Sequence, residues 1–150
     1  MPKIDPDALP SINRCGYLPA FQPAVAGRSW KAVGSLGGLT QFGANLVTLQ
    51  PGAWSSQRHW HTAEDELVVM LAGELVLVED NAETVLGPGD IATFPAGAPN
   101  GHHLQNRSQE PAQFLAIGTD RPTTDACHYP DIDQYWSEAT GFAAKSAQPR

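Results

Sequence analysis

The chain has 150 residues, with 9 basic and 16 acidic side chains and a net charge of −7. That length suits one domain able to bury roughly two thirds of its unfolded surface, so neither a metal nor a disulfide is needed merely to fold it. The acidic balance argues against nucleic acid or anionic membrane as partner and leaves a small-molecule ligand as the expected one.

In chain order, residues 1–28 carry Pro2, Pro6, Pro10, Pro19 and Pro23, a spacing that leaves no room for a long helix. This segment reads as an irregular N-terminal arm. It opens Met1-Pro2-Lys3-Ile4-Asp5-Pro6-Asp7, without the apolar core of a signal peptide. No later stretch approaches membrane-spanning length, and the expectation is a cytoplasmic protein. Its apolar run Tyr17-Leu18-Pro19-Ala20-Phe21 would be poorly protected on a monomer, which leads us to expect a homodimer.

From residue 29 onward the signals turn to short strands, expected at 29–33, 44–50, 56–62, 66–71, 74–79, 83–86, 90–94, 102–107 and 112–118. Gly, Pro and Asn-rich turns separate them, and no long amphipathic helix intervenes. An all-β sandwich or barrel over residues 29–120 follows. Gly87-Pro88-Gly89-Asp90 has proline and glycine where a type I or II turn wants them. Asp80-Asn81 and Ala72-Gly73 read as hairpin tips.

Residues 121–150 form a C-terminal arm, dense in aromatic and acidic groups from His128 to Trp136. Residues 131–136 are predicted to start a short helix with Asp131 near its N-terminus. The arm is expected to dock over the barrel mouth or a neighbouring subunit, with His128 packed in place. Cys15 and Cys127 fit neither a CxxC motif nor a disulfide framework and are expected as free thiols.

The most informative residues are His59-Trp60-His61 followed by Glu66 and Gly73. In an extended strand residues two apart point to the same side, so His59 and His61 present two imidazoles to one point. Glu66 adds an anionic oxygen, and this donor set suits Fe(II), Mn, Ni or Zn with coordination positions left open. By the same parity Val68 and Met70 would line an apolar pocket beside Glu66, with Phe94, Phe114 and Trp54 as further candidates.

Around these residues the chain reads Gly52, six residues, His59-Trp60-His61, four residues, Glu66, six residues, Gly73. Farther on come Gly89, five residues, Pro95-Ala96-Gly97, then His102, three residues, Asn106. This resembles the two signature motifs of the cupin superfamily, and more widely a group of small bacterial single-domain cupins. Two loop lengths depart from the pattern: Gly52 is one residue farther from the first histidine, and four residues rather than two separate Gly97 from His102. Loops absorb such insertions.

The resemblance implies a double-stranded β-helix, a jelly-roll barrel of the class to which cupins belong, holding one divalent metal ion on His59, His61, Glu66 and His102. Parity cannot separate Glu64 from Glu66; the distance to Gly73 favours Glu66. His102 shares a face with Leu104 and Asn106, while His103 shares the more polar, outward-looking face with Gln105 and Arg107, so His102 is preferred and His103 is the fallback.

Two functions are compatible with that site. One is a metal-dependent enzyme, an isomerase or epimerase of a small polar metabolite such as a sugar derivative, or an oxygenase of the dioxygenase type. The other is a non-catalytic binding or sensing barrel. The chain shows no output domain for a sensor, which favours the enzyme. Glu64, His103 and Tyr129 are the candidates for an additional acid or base, and no spacing fixes which.

Overall fold

The computed structural model describes residues 3–147. Its strands are β1 (Arg28–Lys31), β2 (Phe42–Leu49), β3 (Trp60–His61), β4 (Glu66–Ala72), β5 (Leu75–Val78), β6 (Glu83–Leu86), β7 (Ile91–Phe94), β8 (His103–Gln105), β9 (Ala112–Thr119), β10 (Ala126–His128), β11 (Tyr135–Ser137) and β12 (Gly141–Ala143). One helical turn, α1 (Val33–Leu36), lies between β1 and β2. No helix among the described residues is long and apolar enough to cross a membrane.

Strand pairing is antiparallel throughout these strands, in three sheets ordered β1-β2-β9-β4-β7, β6-β5-β8 and β12-β11-β10-β3. The period-2 alternation of each strand sends one set of side chains inward. Val47 and Leu49 of β2, Val68 and Met70 of β4 and Phe114 of β9 meet Leu75 and Leu77 of β5 and Leu104 beside them in one core. Two facing antiparallel sheets with such an interior make a jelly-roll barrel.

The turns form where the residues demand. Asp90 N–H donates to Gly87 O at 3.0 Å across Pro88 and Gly89, and Gly89 has φ 92°, so the reversal is a type II turn. Asp80-Asn81 lies at the β5–β6 hairpin tip, closed by Glu79 N–H on Ala82 O at 2.9 Å. Ala72-Gly73 differs from expectation. Here the chain leaves one sheet for the other: β4 pairs with β7 and β9, and β5 pairs with β6 and β8. Gly73, at φ 74°, makes that passage possible because an L side chain rarely adopts it.

Two further segments depart from the sequence-based expectation. The predicted strand 56–62 shrinks to Trp60–His61, with His59 in an isolated bridge to His102. Upstream of it the backbone is met by irregular partners, Ser55 N–H by Leu104 O and Gln57 N–H by the Tyr17 hydroxyl, so no ladder extends there. At 131–136 no helix forms. Tyr135, Trp136 and Ser137 instead pair with both β10 and β12, and this tertiary pairing overrides the local signal.

Both arms are tied to the barrel. Ile12 and Trp30 exchange two backbone hydrogen bonds of 2.8 Å, and short 3-10 turns begin at Pro6, Pro19 and Pro23. Tyr17 and Val25 pack with Cys127 and Tyr129 of the C-terminal arm, surrounded by Phe21, Trp136 and Phe142. Within the apolar run of the N-terminal arm Tyr17 is buried and Leu18 and Phe21 are partly covered by their own chain, while Pro19 and Ala20 stay exposed. Arg58 clamps the C-terminal arm with 2.7 and 2.5 Å hydrogen bonds to the two oxygens of Asp131. Cys15 and Cys127 are free thiols.

Candidate metal centre

The second arm builds one wall of the site. β10 pairs with β3, opposing Cys127 to His61 and His128 to Trp60. His61 thus comes from a strand held by the arm, His59 lies just before it, and their rings are 5.1 Å apart. Glu66 opens β4, and His102 is brought against His59 by their bridge.

Three imidazole nitrogens converge on one carboxylate oxygen. The Nε2 atoms of His102, His59 and His61 lie 2.8, 3.7 and 3.8 Å from Glu66 Oε2. Each ring is oriented from behind through Nδ1: that of His61 meets Asp125 Oδ2 at 2.6 Å, that of His59 the Gln57 carbonyl at 2.9 Å, and that of His102 the Asn100 carbonyl at 3.3 Å. Gln57 O and Asp125 only accept, so Nδ1 of His59 and of His61 carries the proton and their Nε2 atoms turn lone pairs toward Glu66. His102 differs: its Nε2–H donates to Glu66 Oε2 at 2.8 Å, at the position a metal ion would take over if Nε2 became a ligand.

The electrostatics agree with that donor set. Burial, against the opposing charge of Glu66, pulls His59 down to about 4, so its imidazole is neutral at physiological pH. Burial opposes ionisation of Glu66, but the His102 hydrogen bond and the neighbouring imidazoles outweigh it and bring the carboxyl down to about 2. A neutral His59 imidazole beside an ionised Glu66 carboxylate is the protonation state in which that pair binds a divalent ion. Phe94 covers one side, its ring stacked on His102 at 3.6 Å and 3°.

His59, Glu66 and His102 offer atoms close enough to share an ion, as do His61, Glu64 and Asp125, and His59, His61 and Cys127. His103 belongs to none of these groups. It is 4 % exposed, not on an open face as its polar neighbours suggested. Trp54 packs on it edge-on at 4.6 Å, and its two nitrogens are taken up by Ser56 O and the Gln105 amide. Trp54 thereby serves His103, while Phe94 and Phe114 line the cavity.

That cavity, of about 620 Å³, opens from the imidazole cluster into the barrel. Glu64 lines it, accepting the Arg121 N–H at 2.6 Å with its other oxygen 3.9 Å from His61 Nδ1, and burial pushes its carboxyl above the ordinary range. Tyr129 is also in the lining, its ring 5.9 Å from His59. Burial raises its hydroxyl strongly, as do nearby Tyr17 and Cys127, which keeps it protonated. Asp125 was not visible in the sequence as a site residue. Its buried carboxylate also accepts the Ala63 N–H at 2.8 Å.

A jelly-roll barrel with an imidazole–carboxylate cluster inside its mouth defines the class. A model of the Cupin domain matches residues 45–118. The crystal structure of a sugar phosphate isomerase from a cupin superfamily, from Silicibacter pomeroyi, is 44% identical over 99% of this chain and 96% of its own, with a TM-score of 0.90. The chain belongs to the cupin superfamily. A candidate sugar phosphate isomerase from Acidithiobacillus ferrooxidans is 28% identical over 83% of this chain and 82% of its own, with a TM-score of 0.74. A polyketide cyclase from Streptomyces resistomycificus shares the fold at 17% identity over 81% of this chain and 82% of its own, TM-score 0.67. No curated protein matches the chain in sequence.

Proposed function

We propose that this protein is a metal-dependent isomerase of a small sugar derivative, holding one divalent ion of iron, manganese, nickel or zinc on His59, His61, Glu66 and His102. The observation that carries this is the convergence of three Nδ1-tethered imidazoles on Glu66 Oε2 within a cavity large enough for a metabolite. The two similar proteins described as isomerases support the same reaction class.

When bound, the ion supplies a Lewis acid for a carbonyl or hydroxyl oxygen of the substrate. The chain supplies the proton traffic. Aldose–ketose isomerisation takes a proton from one carbon and returns it to its neighbour, and Glu64 has the position and raised proton affinity for that shuttle. Phe94, Phe114 and Val68 give an apolar wall that shields it from bulk water.

The test is elemental analysis of untagged wild type and the His59→Ala, His61→Ala double variant, with deuterium exchange into a panel of sugars and sugar phosphates in heavy water. About one equivalent of metal lost in a folded variant, and exchange that falls ~10²-fold or more in Glu64→Gln, is expected. No metal and no uptake of added ions sinks the mechanism; metal without exchange leaves a binding barrel.

We also propose a homodimer through the outer face of the five-stranded sheet. There Leu46, Leu115, Val69 and Ile91 stand in one cross-strand row, and Ile91 is 61% exposed. Light scattering giving a monomer mass would remove it.

A further inference from the structure

One cationic group in the cavity lacks a carboxylate partner. Arg28, on β1, lines the same cavity as the imidazole cluster and is the one Lys or Arg in that lining. Its Nη1 donates to Ser55 O at 2.6 Å, and the guanidinium carbon lies 5.1 Å from the centre of the Trp30 ring. Its Nε–H is buried with no hydrogen-bond partner. Arg58 and Arg107, by contrast, each grip a carboxylate through two nitrogens.

A buried N–H left unpaired is costly, and more so on a charged group, so it calls for an explanation at this position. With Nη1 fixed by a carbonyl, the guanidinium keeps the N–H groups of its Nε and Nη2 edge without a hydrogen bond. Those two N–H groups are parallel and spaced to meet two oxygens of a phosphate or a carboxylate. Trp30 holds the guanidinium plane in place from the side.

The path to the cluster is short. Ser55 Oγ lies 3.4 Å from Ser56 Oγ, which lies 3.1 Å from His59 Nδ1. Arg28 and His59 are therefore linked through two consecutive serines and face one chamber. Glu64 and Asp120, in the same lining, repel an anion, so the arginine also sets which way round a charged ligand enters.

Building on the isomerase proposal above, we propose that Arg28 binds the anionic end of the substrate, a phosphate monoester or a carboxylate, while the carbonyl end meets the imidazole cluster. Trp30, Val47 and Phe114 flank the carbon chain between them. Arg28 is then the residue that selects a charged sugar derivative over the neutral sugar.

The experiment is calorimetric titration of the full chain, metal-loaded and metal-free, with inorganic phosphate, hexose phosphates, the matching sugar acids and the free hexoses. Anionic probes are expected to bind at least ~10-fold tighter than free hexoses, and Arg28→Gln to lose roughly 10–100-fold for the anionic probes alone. Which oxyanion gains most tells phosphate from carboxylate. An Arg28→Gln variant with wild-type anion affinity, or a wild type with no preference for anions, overturns the proposal. Should Arg28→Gln fail to fold by circular dichroism, Arg28→Lys decides: a tenfold loss supports the fork, and unchanged affinity overturns it. Metal content and turnover are read in the same samples. Protein without metal or turnover whose anion binding still depends on Arg28 sinks the isomerase and leaves the anion site standing.

Discussion

Asp125 Oδ2 lies 2.6 Å from His61 Nδ1, although 64 residues separate the two in the chain. The carboxylate fixes the His61 tautomer and turns its Nε2 toward Glu66, as carboxylates behind metal-binding histidines do. Asp125→Asn keeps the shape and removes the charge. A fall in metal affinity of roughly 10–100-fold is expected, read by competition with a chelating dye. Affinity within a factor of about two of wild type would mean that His61 is oriented by something else, or is no ligand.

His102 and His103 are adjacent in sequence and opposite in role. His102→Ala should lose metal, because its Nε2 is the nearest to Glu66. His103→Ala should keep the metal and lose stability, since it strands Ser56 O and the Gln105 amide in a buried setting. A cost of about 1–3 kcal/mol in urea unfolding is expected. Metal loss in the His103 variant with His102→Ala unaffected would reverse the assignment.

Much of this was legible in the chain, for physical reasons that differ by residue. His59 and His61 could be paired because strand parity is local, Glu66 was picked by its spacing to Gly73, and the type II turn at Pro88-Gly89 was legible because its dihedral demands are local too. Asp125 and Arg28 were invisible. One is brought to the site by the β3–β10 pairing and the other by a barrel edge, and no short-range signal encodes either. The helix expected at 131–136 failed for the same reason, because partners on both sides settle that segment.

The metal-free protein should weaken as pH falls. His59 sits at about 4 in the fold against an ordinary value of 6.5, so the unfolded chain takes up the proton first. Its contribution is complete above about pH 6.5 and lost on the way down to about 4. Glu66, at about 2 against 4.5, likewise favours the fold above about pH 4.5 and ceases to do so toward 2. Urea midpoints of metal-free protein should therefore drop between about pH 7 and pH 5, and His59→Gln should flatten that drop. An unchanged slope in the variant would exclude His59 as its source.

Gly73 and Gly89 both have positive φ, of 74° and 92°, but only one is crowded. A Cβ on Gly89 meets nothing within 4 Å, whereas one on Gly73 would lie 2.8 Å from Ala112 Cα and Cβ and from Pro111 O. Backbone cannot swing aside as a side-chain end can. Gly89→Ala should therefore cost the backbone strain alone, about 1–2 kcal/mol. Gly73→Ala adds overpacking of about 1–3 kcal/mol, and it does so where the chain passes between the two sheets. At this chain length roughly 2–4 °C of melting temperature accompany each kcal/mol, so the Gly73 variant should melt several degrees below the Gly89 variant. Equal melting temperatures would mean that β9 shifts to relieve the contact, and metal affinity should then change as well, because Gly118 of the same strand is in register with Glu66.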